Sequence, residues 1–230
     1  MRRLGTTWLR GLPKFGRRRI MHATALHVGV NVSNTIPKMR SPIFWDGTFK
    51  FIPFVDESCK KCPTYRDLGL AKYVPSEYAD SKVHYDPEFE TLTYGDYSNI
   101  RTHALRQLTK GDTLFFTTSL QYHQASDRER KSWIHPEWGF YIIGYFEIEE
   151  IYRDFELKDA NKLSKVQNNA HIRRGNDKNF IVWKGSQKSK LLRLAVPLSN
   201  KHAPTSSAKM IFDTTGPRWW QTSLISGERL

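Results

Sequence analysis

The alternation of apolar and polar positions predicts a chain built mainly of β-strands. Apolar residues at every second position across 25–32 predict the first strand. Two longer apolar stretches, 113–118 and 140–148, are rich in β-branched and aromatic residues. They are too short for a pair of long helices, so buried strands are favoured. We expect these two stretches to be neighbouring strands at the centre of the fold.

Turn signals divide the strands. Asp46-Gly47 separates the apolar runs 43–45 and 48–52, and Asp-Gly between two such runs predicts a tight hairpin. Lys110-Gly111-Asp112 stands directly before the central strand and is typical of a turn, because glycine frees the backbone and aspartate can bond to it. The chain is therefore expected to reverse at both places.

The remaining pattern predicts one helix, one later strand and a further core-facing segment. Apolar residues recur at helical spacing across 99–110, and Ser98 or Asn99 could cap that helix. The run 179–184 reads as a further strand, and the segment 190–198 offers Leu191, Leu192, Leu194, Ala195 and Val196 to the core.

Between these elements lie two long irregular segments. Residues 56–96 show no periodicity, and a connection of that length usually holds short helices or a functional loop. The loop 121–138 joins the two central strands and contains charged, histidine and tryptophan residues.

Charge changes the picture, since the net charge is +13 in 230 residues. Such a basic chain is attracted to polyanions, with nucleic acid first. Hydrophobic content of 39% indicates a globular protein. No apolar run approaches the roughly 20 residues that cross a bilayer, so no membrane partner is expected. The expected partner is DNA or RNA, and the sequence does not specify an oligomeric state.

The first 20 residues form a basic segment with seven Arg and Lys and no acidic residue. The sequence leaves three readings open: a disordered basic arm, a mitochondrial transit peptide, or an extension upstream of a start at Met21. We expect an arm over 1–20, one domain over 21–200 and an extension over 201–230. A cytoplasmic location is expected unless the arm is a targeting peptide.

Several short motifs carry a family resemblance. They comprise the Lys110-Gly111-Asp112 turn, Ile142-Ile143-Gly144 in the second central strand, Trp45-Asp46-Gly47, Tyr94-Gly95-Asp96, Asn168-Asn169-Ala170-His171 and 191–198. Together they resemble the PUA-like superfamily, which includes the EVE, YTH and ASCH domains, and are closest to nucleotide-modification-associated domains. The resemblance implies an α+β fold, a PUA-like (EVE/YTH-like) mixed β-barrel with flanking helices.

The resemblance also implies a function, because PUA-like readers hold a base between aromatic rings at the barrel mouth. We expect a nucleic-acid-binding protein that reads modified or flipped bases in DNA or RNA. Aromatic rings in such a site stack on bases, while basic residues neutralise phosphates. The candidate residues are Trp45, Trp133 and Trp138 for stacking, Asn31, Ser33 and Asn34 for base-edge hydrogen bonds, and Arg101, Arg106, Arg173, Arg174 and Arg218 for phosphates.

The alternative is a metal-dependent nuclease or base-modification enzyme. The loop 121–138 offers His123, Asp127, Glu129 and His135, which are residue types that bind divalent cations. Their spacing matches no known metal motif, and neighbouring Arg and Lys would oppose a cation. No cofactor and no catalytic residue are therefore assigned.

The two cysteines, Cys59 and Cys62, are too few for a disulfide framework, which fits a reducing compartment. Their spacing could supply two zinc ligands, but His84 is not at a diagnostic distance for a third.

Overall fold

The computed structural model describes residues 22–200 except 31–35, 37, 99–104 and 176. The described residues form nine strands and two short α-helices. The strands are β1 (Ala23–His27), β2 (Ser41–Ile43), β3 (Phe54–Val55), β4 (Val83–His84), β5 (Thr93–Tyr97), β6 (Thr113–Tyr122), β7 (Trp138–Arg153), β8 (Phe180–Gly185) and β9 (Lys190–Asn200). The helices are α1 (Ala160–Ser164) and α2 (Ala170–Arg174), and 3₁₀ turns occupy Ala71–Tyr73, Ser76–Tyr78, Leu105–Gln107 and Asp154–Lys158. None of these helices has the length and apolar character needed to cross a membrane.

The central feature is the antiparallel pair β6 and β7, which confirms the prediction of two neighbouring strands. Both are buried on both faces over much of their length, so they are covered on both sides. The main buried cluster lies against them and includes Phe116, Phe146 and Trp183. The predicted strand at 179–184 is also confirmed, as β8. Residues 190–200 form β9, in which Ala195 is buried, whereas Leu191 and Leu194, expected in the core, are 41% and 45% exposed.

Seven strands form one mixed sheet in the order β1-β6-β7-β8-β5. β2 continues the edge of β6 beyond β1, and β9 pairs with β7. β1 and β2 run parallel to β6, whereas the other pairs are antiparallel. The end strands β1 and β5 do not pair with each other, so the sheet in the described residues is open. This is an α+β architecture, and the closed barrel that the resemblance implies is not observed in it.

Other local predictions were partly met. The first strand ends at His27 rather than at residue 32. The Asp46-Gly47 turn forms, with Phe44 N donating to Thr48 O at 2.8 Å, but the pairing beyond it is a single Ile43–Phe49 bridge. Of the predicted helix, 99–104 lie outside the described residues, and 105–107 form a 3₁₀ turn.

A separate two-stranded ribbon, β3 with β4, lies in the irregular segment 56–96 and its flank. Its buried cluster centres on Ile52, Tyr65 and Val83. The Tyr65 hydroxyl donates to Pro53 O at 2.6 Å, which attaches the segment to the preceding loop. The segment is therefore a packed layer with short helices, one of the two outcomes that its length predicted.

Candidate functional site

A cavity of about 380 Å³ opens beside β2 and the end of β6. Its volume falls in the range of small-molecule pockets, about 300 to 1,000 Å³. The lining residues are Met39, Arg40, Pro42, Lys72, Tyr73, Val74, Pro75, Gln121, Tyr122 and His123. They comprise aromatic rings, cationic side chains and neutral groups, and no carboxylate.

Strand pairing places two of the cavity walls side by side. The parallel register of β2 and β6 sets Pro42 opposite Gln121. Immediately beyond the paired region, His123 N donates to Ile43 O at 2.9 Å. The 121–123 segment is thus held by backbone bonds, which fixes the start of the loop between β6 and β7.

The third wall is the 3₁₀ turn Ala71–Tyr73, held by aromatic contacts. The Tyr73 ring lies 5.9 Å from the Phe44 ring and 6.2 Å from His123, centre to centre. Phe44 and His123 meet edge to face at 5.8 Å. Aromatic pairs in this range are attractive, so Phe44, which does not itself line the cavity, helps to hold the two lining rings of Tyr73 and His123.

Positive charge lies beside two aromatic rings that line the cavity, those of Tyr73 and Tyr122. Lys72 Nζ lies 5.0 Å from the Tyr73 ring centre, and the Arg130 guanidinium lies 5.7 Å from that of Tyr122. Partial burial lowers the pKa of Arg40. A bound phosphate would restore the charge stabilisation that burial removes, so the site suits an anion next to a planar ring.

The three predicted stacking tryptophans occupy different positions around this region. Trp138 is half-buried and opposite Gln121 in the β6–β7 register, with the Arg40 guanidinium 4.3 Å from its ring centre. Trp45 is half-buried and covered by Arg128 at 4.6 Å. Trp133 is 38% exposed. Trp138 is therefore joined to the cavity through Arg40, and stacking by any of the three stays a prediction.

The predicted phosphate and base-edge residues are dispersed. Asn31, Ser33, Asn34, Arg101 and Arg218 lie outside the described residues. Arg106 is exposed, with Nη1 3.4 Å from Ser98 Oγ, and Arg173 Nη2 donates to Asn168 Oδ1 at 2.9 Å.

Arg174 has a different environment from the other arginines. Its guanidinium bonds Asp56 and Asp177, and its side chain is 14% exposed. Paired carboxylates hold its pKa above the ordinary value although burial alone would lower it. In this structure Arg174 is a partly buried bridge between two acids.

The loop residues considered as metal ligands do not form a group of three close ligand atoms. His123 lines the cavity, and Asp127 and Glu129 are exposed. His135 Nδ1 accepts a hydrogen bond from Glu137 N at 3.2 Å. Among the described residues, the group whose ligand atoms do converge is His84, Asp86 and His171.

This second polar region is a buried network between the β3–β4 ribbon, β5 and α2. His84 Nδ1 lies 3.3 Å from Asp56 Oδ2, and His171 Nδ1 lies 2.6 Å from Asp177 Oδ2. Arg174 bonds both of these aspartates, which ties the two histidine–aspartate pairs together. The two imidazole rings meet edge to face at 4.9 Å.

Electrostatics differ among the groups of this network. Burial, with a contribution from His84, lowers the pKa of His171 to about 4. Burial raises the pKa of Asp86 well above its ordinary range, despite hydrogen bonds from Gly95 N and Asn169 Nδ2. Burial also tends to raise the pKa of Asp56, but bonds from His84 and Arg174 outweigh it and hold the pKa far below normal. A negative charge is thus stabilised at Asp56, whereas burial disfavours it at Asp86.

Local structure explains why Tyr94-Gly95-Asp96 and the Asn169–His171 segment meet here. Asn169 caps α2 by accepting from His171 N at 3.0 Å. A Cβ at Gly95 would stand 2.6 Å from both Asn169 Oδ1 and His171 Cδ2. Only glycine allows that approach, so these two sequence motifs form one structural unit.

Sequence reasoning noted these motifs as marks of a fold and missed their shared site. The available signal was their content of Asp, Asn and His in otherwise irregular segments. His84 was weighed only as a partner of the cysteines. Cys59 and Cys62 are instead joined to each other by a disulfide and pack against Ala170.

These features define an α+β protein with a basic, aromatic cavity at one sheet edge and a buried histidine–aspartate network at another. A family model for nucleotide modification associated domain 3 matches residues 23–226. The chain therefore belongs to that family, which links it to nucleic acid modification. Comparison with curated proteins and with solved structures yielded no match. The predicted relation to nucleotide-modification-associated domains is confirmed, while PUA-like superfamily membership stays a prediction.

Proposed function

We propose that the protein binds nucleic acid through the cavity beside β2 and β6, as a reader that holds an unpaired or flipped base. The observation that carries this is the lining itself: Tyr73, Tyr122 and His123 stand beside Arg40 and Lys72, with no carboxylate among the lining residues. Rings bind any base face, and cations bind the adjoining phosphates. The family's link to nucleic acid modification and the net charge of +13 support the same ligand class.

The positions of the lining residues determine how a base and its phosphates would bind. Tyr73 is half-buried and braced by Phe44, so its ring is held in place before a base arrives. A braced ring loses little conformational entropy on binding, which favours affinity. Lys72 and Arg40 line the same cavity and would bind the phosphates on either side of that base. In this proposal the protein acts as PUA-like readers do, although through the edge of an open sheet.

A role linked to nucleic acid modification would depend on which bases the cavity binds. A duplex base must leave the stack before it can enter the cavity, at a cost of a few kcal/mol that is lower for a damaged or mismatched base. Selectivity for altered bases can therefore begin with the ease of flipping and be refined by polar groups such as Gln121 at the wall.

The test is a fluorescence-anisotropy titration of the full chain with labelled oligonucleotides at about 50 and 200 mM salt. The set contains single-stranded DNA, single-stranded RNA, and duplexes with a matched, mismatched or modified base. We expect salt-sensitive binding, strongest for unpaired or altered bases. Binding to none of these ligands would contradict the proposal.

A matched pair of variants locates the binding. Tyr73→Ala removes the braced ring, and we expect affinity about 5- to 150-fold weaker, as for the loss of about 1 to 3 kcal/mol of stacking. Phe155→Ala is the control, since Phe155 is 62% exposed and follows the opposite end of β7. Equal effects of the two substitutions would place the base elsewhere.

A further inference from the structure

The buried network around α2 has the properties of a metal site independent of the cavity. Ligand atoms of His84, Asp86 and His171 all lie within 4.8 Å of one another, and all three residues are buried. They come from β4, from the turn after it, and from α2. Two imidazoles and a carboxylate are a ligand set that binds divalent transition-metal ions.

The first line of evidence is an orphaned atom. Asp86 has a side chain only 1% exposed, and its Oδ1 has no hydrogen-bond partner among the described residues. Its other oxygen, Oδ2, accepts from Gly95 N at 2.8 Å and from Asn169 Nδ2 at 3.3 Å. A buried carboxylate oxygen without a partner is costly unless a cation binds it. The free oxygen belongs to a residue whose ligand atom lies within 4.8 Å of those of both histidines.

The second line of evidence is how the imidazoles are held. His171 Nδ1 lies 2.6 Å from Asp177 Oδ2, and His84 Nδ1 lies 3.3 Å from both Asp56 Oδ2 and Arg174 Nη2. A ring that donates its Nδ1 proton to a carboxylate presents the Nε2 lone pair, and metal-binding histidines are usually oriented by such a carboxylate. His84 Nε2 lies 3.8 Å from Asp86 Oδ2, so it faces the orphaned carboxylate. Arg174 bonds both supporting aspartates and so connects the two pairs.

We propose that His84, Asp86 and His171 bind one divalent transition-metal ion, such as Zn²⁺ or Fe²⁺. Asp56, Asp177 and Arg174 are positioning residues that orient the two imidazoles. The ion would supply a positive counter-charge for the buried Asp86 carboxylate. It would also join the β3–β4 ribbon to α2 and the β5 edge. Three protein ligands leave coordination positions for water or another oxygen donor, as in catalytic rather than closed structural sites.

The experiment uses the full chain without a polyhistidine tag. After treatment with a chelator and dialysis, Zn²⁺ or anaerobic Fe²⁺ is titrated by calorimetry, and bound metal is counted by elemental analysis. Co²⁺ serves as a spectroscopic probe, because visible absorption reports coordination by protein ligands. We expect one ion per chain and a higher melting temperature with metal. Absence of bound metal would overturn the proposal.

Ligand substitutions test which residues bind. His171→Ala should abolish binding, whereas His22→Ala, which removes a histidine outside the cluster, should keep wild-type affinity and the Co²⁺ spectrum. Asp177→Asn should weaken binding about 10- to 100-fold, as expected for a supporting carboxylate. Wild-type affinity in His171→Ala would overturn the assignment.

Asp86→Asn guards against a trivial loss through misfolding. Asparagine keeps the shape and removes the buried charge, so the metal-free variant should melt above the metal-free wild type. With metal the order should reverse, since only the wild type gains stability. Equal metal-induced shifts in the two proteins would show that Asp86 is not a ligand.

Discussion

The guanidinium carbon of Arg40 lies 4.3 Å from the centre of the Trp138 ring. Arg40 also lines the cavity, whereas Trp138 begins β7 opposite Gln121, another lining residue. The contact therefore connects the proposed binding cavity to the start of the longest strand, and it leaves Arg40 at a defined position beside an aromatic surface.

The first prediction concerns the salt dependence of binding. Arg40→Ala should weaken oligonucleotide binding and reduce the slope of log affinity against log salt by about 0.7, the value for one phosphate contact on a single strand. Arg40→Lys should keep the slope, because it keeps the charge. Anisotropy titrations over a salt series measure both.

Lys158→Ala is the control for that series, since Lys158 is exposed and lies beyond the far end of β7. Its slope should match that of the wild type. An Arg40→Ala slope equal to the wild-type slope would exclude a phosphate contact by Arg40.

The second prediction concerns the Asp46-Gly47 turn. Gly47 has φ +90, and a Cβ there would stand 2.4 Å from the Trp133 ring. Gly47→Ala should therefore cost more than the roughly 1 to 2 kcal/mol expected for a left-handed backbone alone. Gly69→Ala gives that backbone cost by itself, because Gly69 has φ +67 and nothing within 4 Å of its Cβ position. Urea unfolding measures the difference.

The clash with Trp133 can be tested separately. In a Trp133→Ala background, the destabilisation caused by Gly47→Ala should fall to about that caused by Gly69→Ala. An unchanged excess in that background would point to strain in the turn itself rather than to the indole.

The third prediction concerns Asp112 in the turn before β6. Its buried carboxylate accepts from His22 N at 2.9 Å and from Thr109 N at 2.7 Å, which connects the turn to the start of β1. Asp112→Ala should lower the free energy of unfolding by about 2 to 4 kcal/mol, because the backbone N–H groups of His22 and Thr109 lose a charged acceptor. The exposed Asp127→Ala should change it by less than about 0.5 kcal/mol. A similar small effect for both would contradict this account.

The fourth prediction concerns stability against pH in the presence of a chelator. His171 is buried, and its pKa is lowered to about 4, whereas the unfolded chain titrates near the ordinary 6.5. The unfolded state therefore binds the proton first as the pH falls. The stability contributed by neutral His171 should be complete above pH 6.5 and lost down to about pH 4, on the order of 3 kcal/mol.

A comparison with His171→Gln isolates this contribution. The wild type should lose more stability than the variant between pH 7.5 and pH 4.5, as measured by urea midpoints. Parallel pH curves for the two proteins would show that His171 does not titrate in this range.

How much the sequence predicts depends on the range of the interactions involved. The Asp46-Gly47 turn was predictable because φ of +90 and the Asp46 side-chain bond to Thr48 N are set within four residues. In the described part of the predicted helix 99–110, the structure has a 3₁₀ turn at 105–107. Leu105 and Leu108 are buried there, as the apolar spacing predicted.

The sites were less predictable, since no local signal brings their segments together. The cavity needs 39–42, 72–75 and 121–123, and the second of these lies in a stretch without periodicity. Likewise, His84 and His171 are 87 positions apart and meet only because the ribbon packs on α2.

By itself, the sequence determined the strands β6, β7 and β8, because runs of β-branched and aromatic residues favour extended backbone wherever they are buried. It also determined the basic charge, and through its motifs the relation to nucleotide-modification-associated domains. Only the tertiary structure decided that the sheet is open, that Arg174 bridges two aspartates, and that ligand atoms of His84, Asp86 and His171 lie within 4.8 Å of one another. Those outcomes depend on desolvation and on contacts between distant segments, and neither is encoded in local residue pattern.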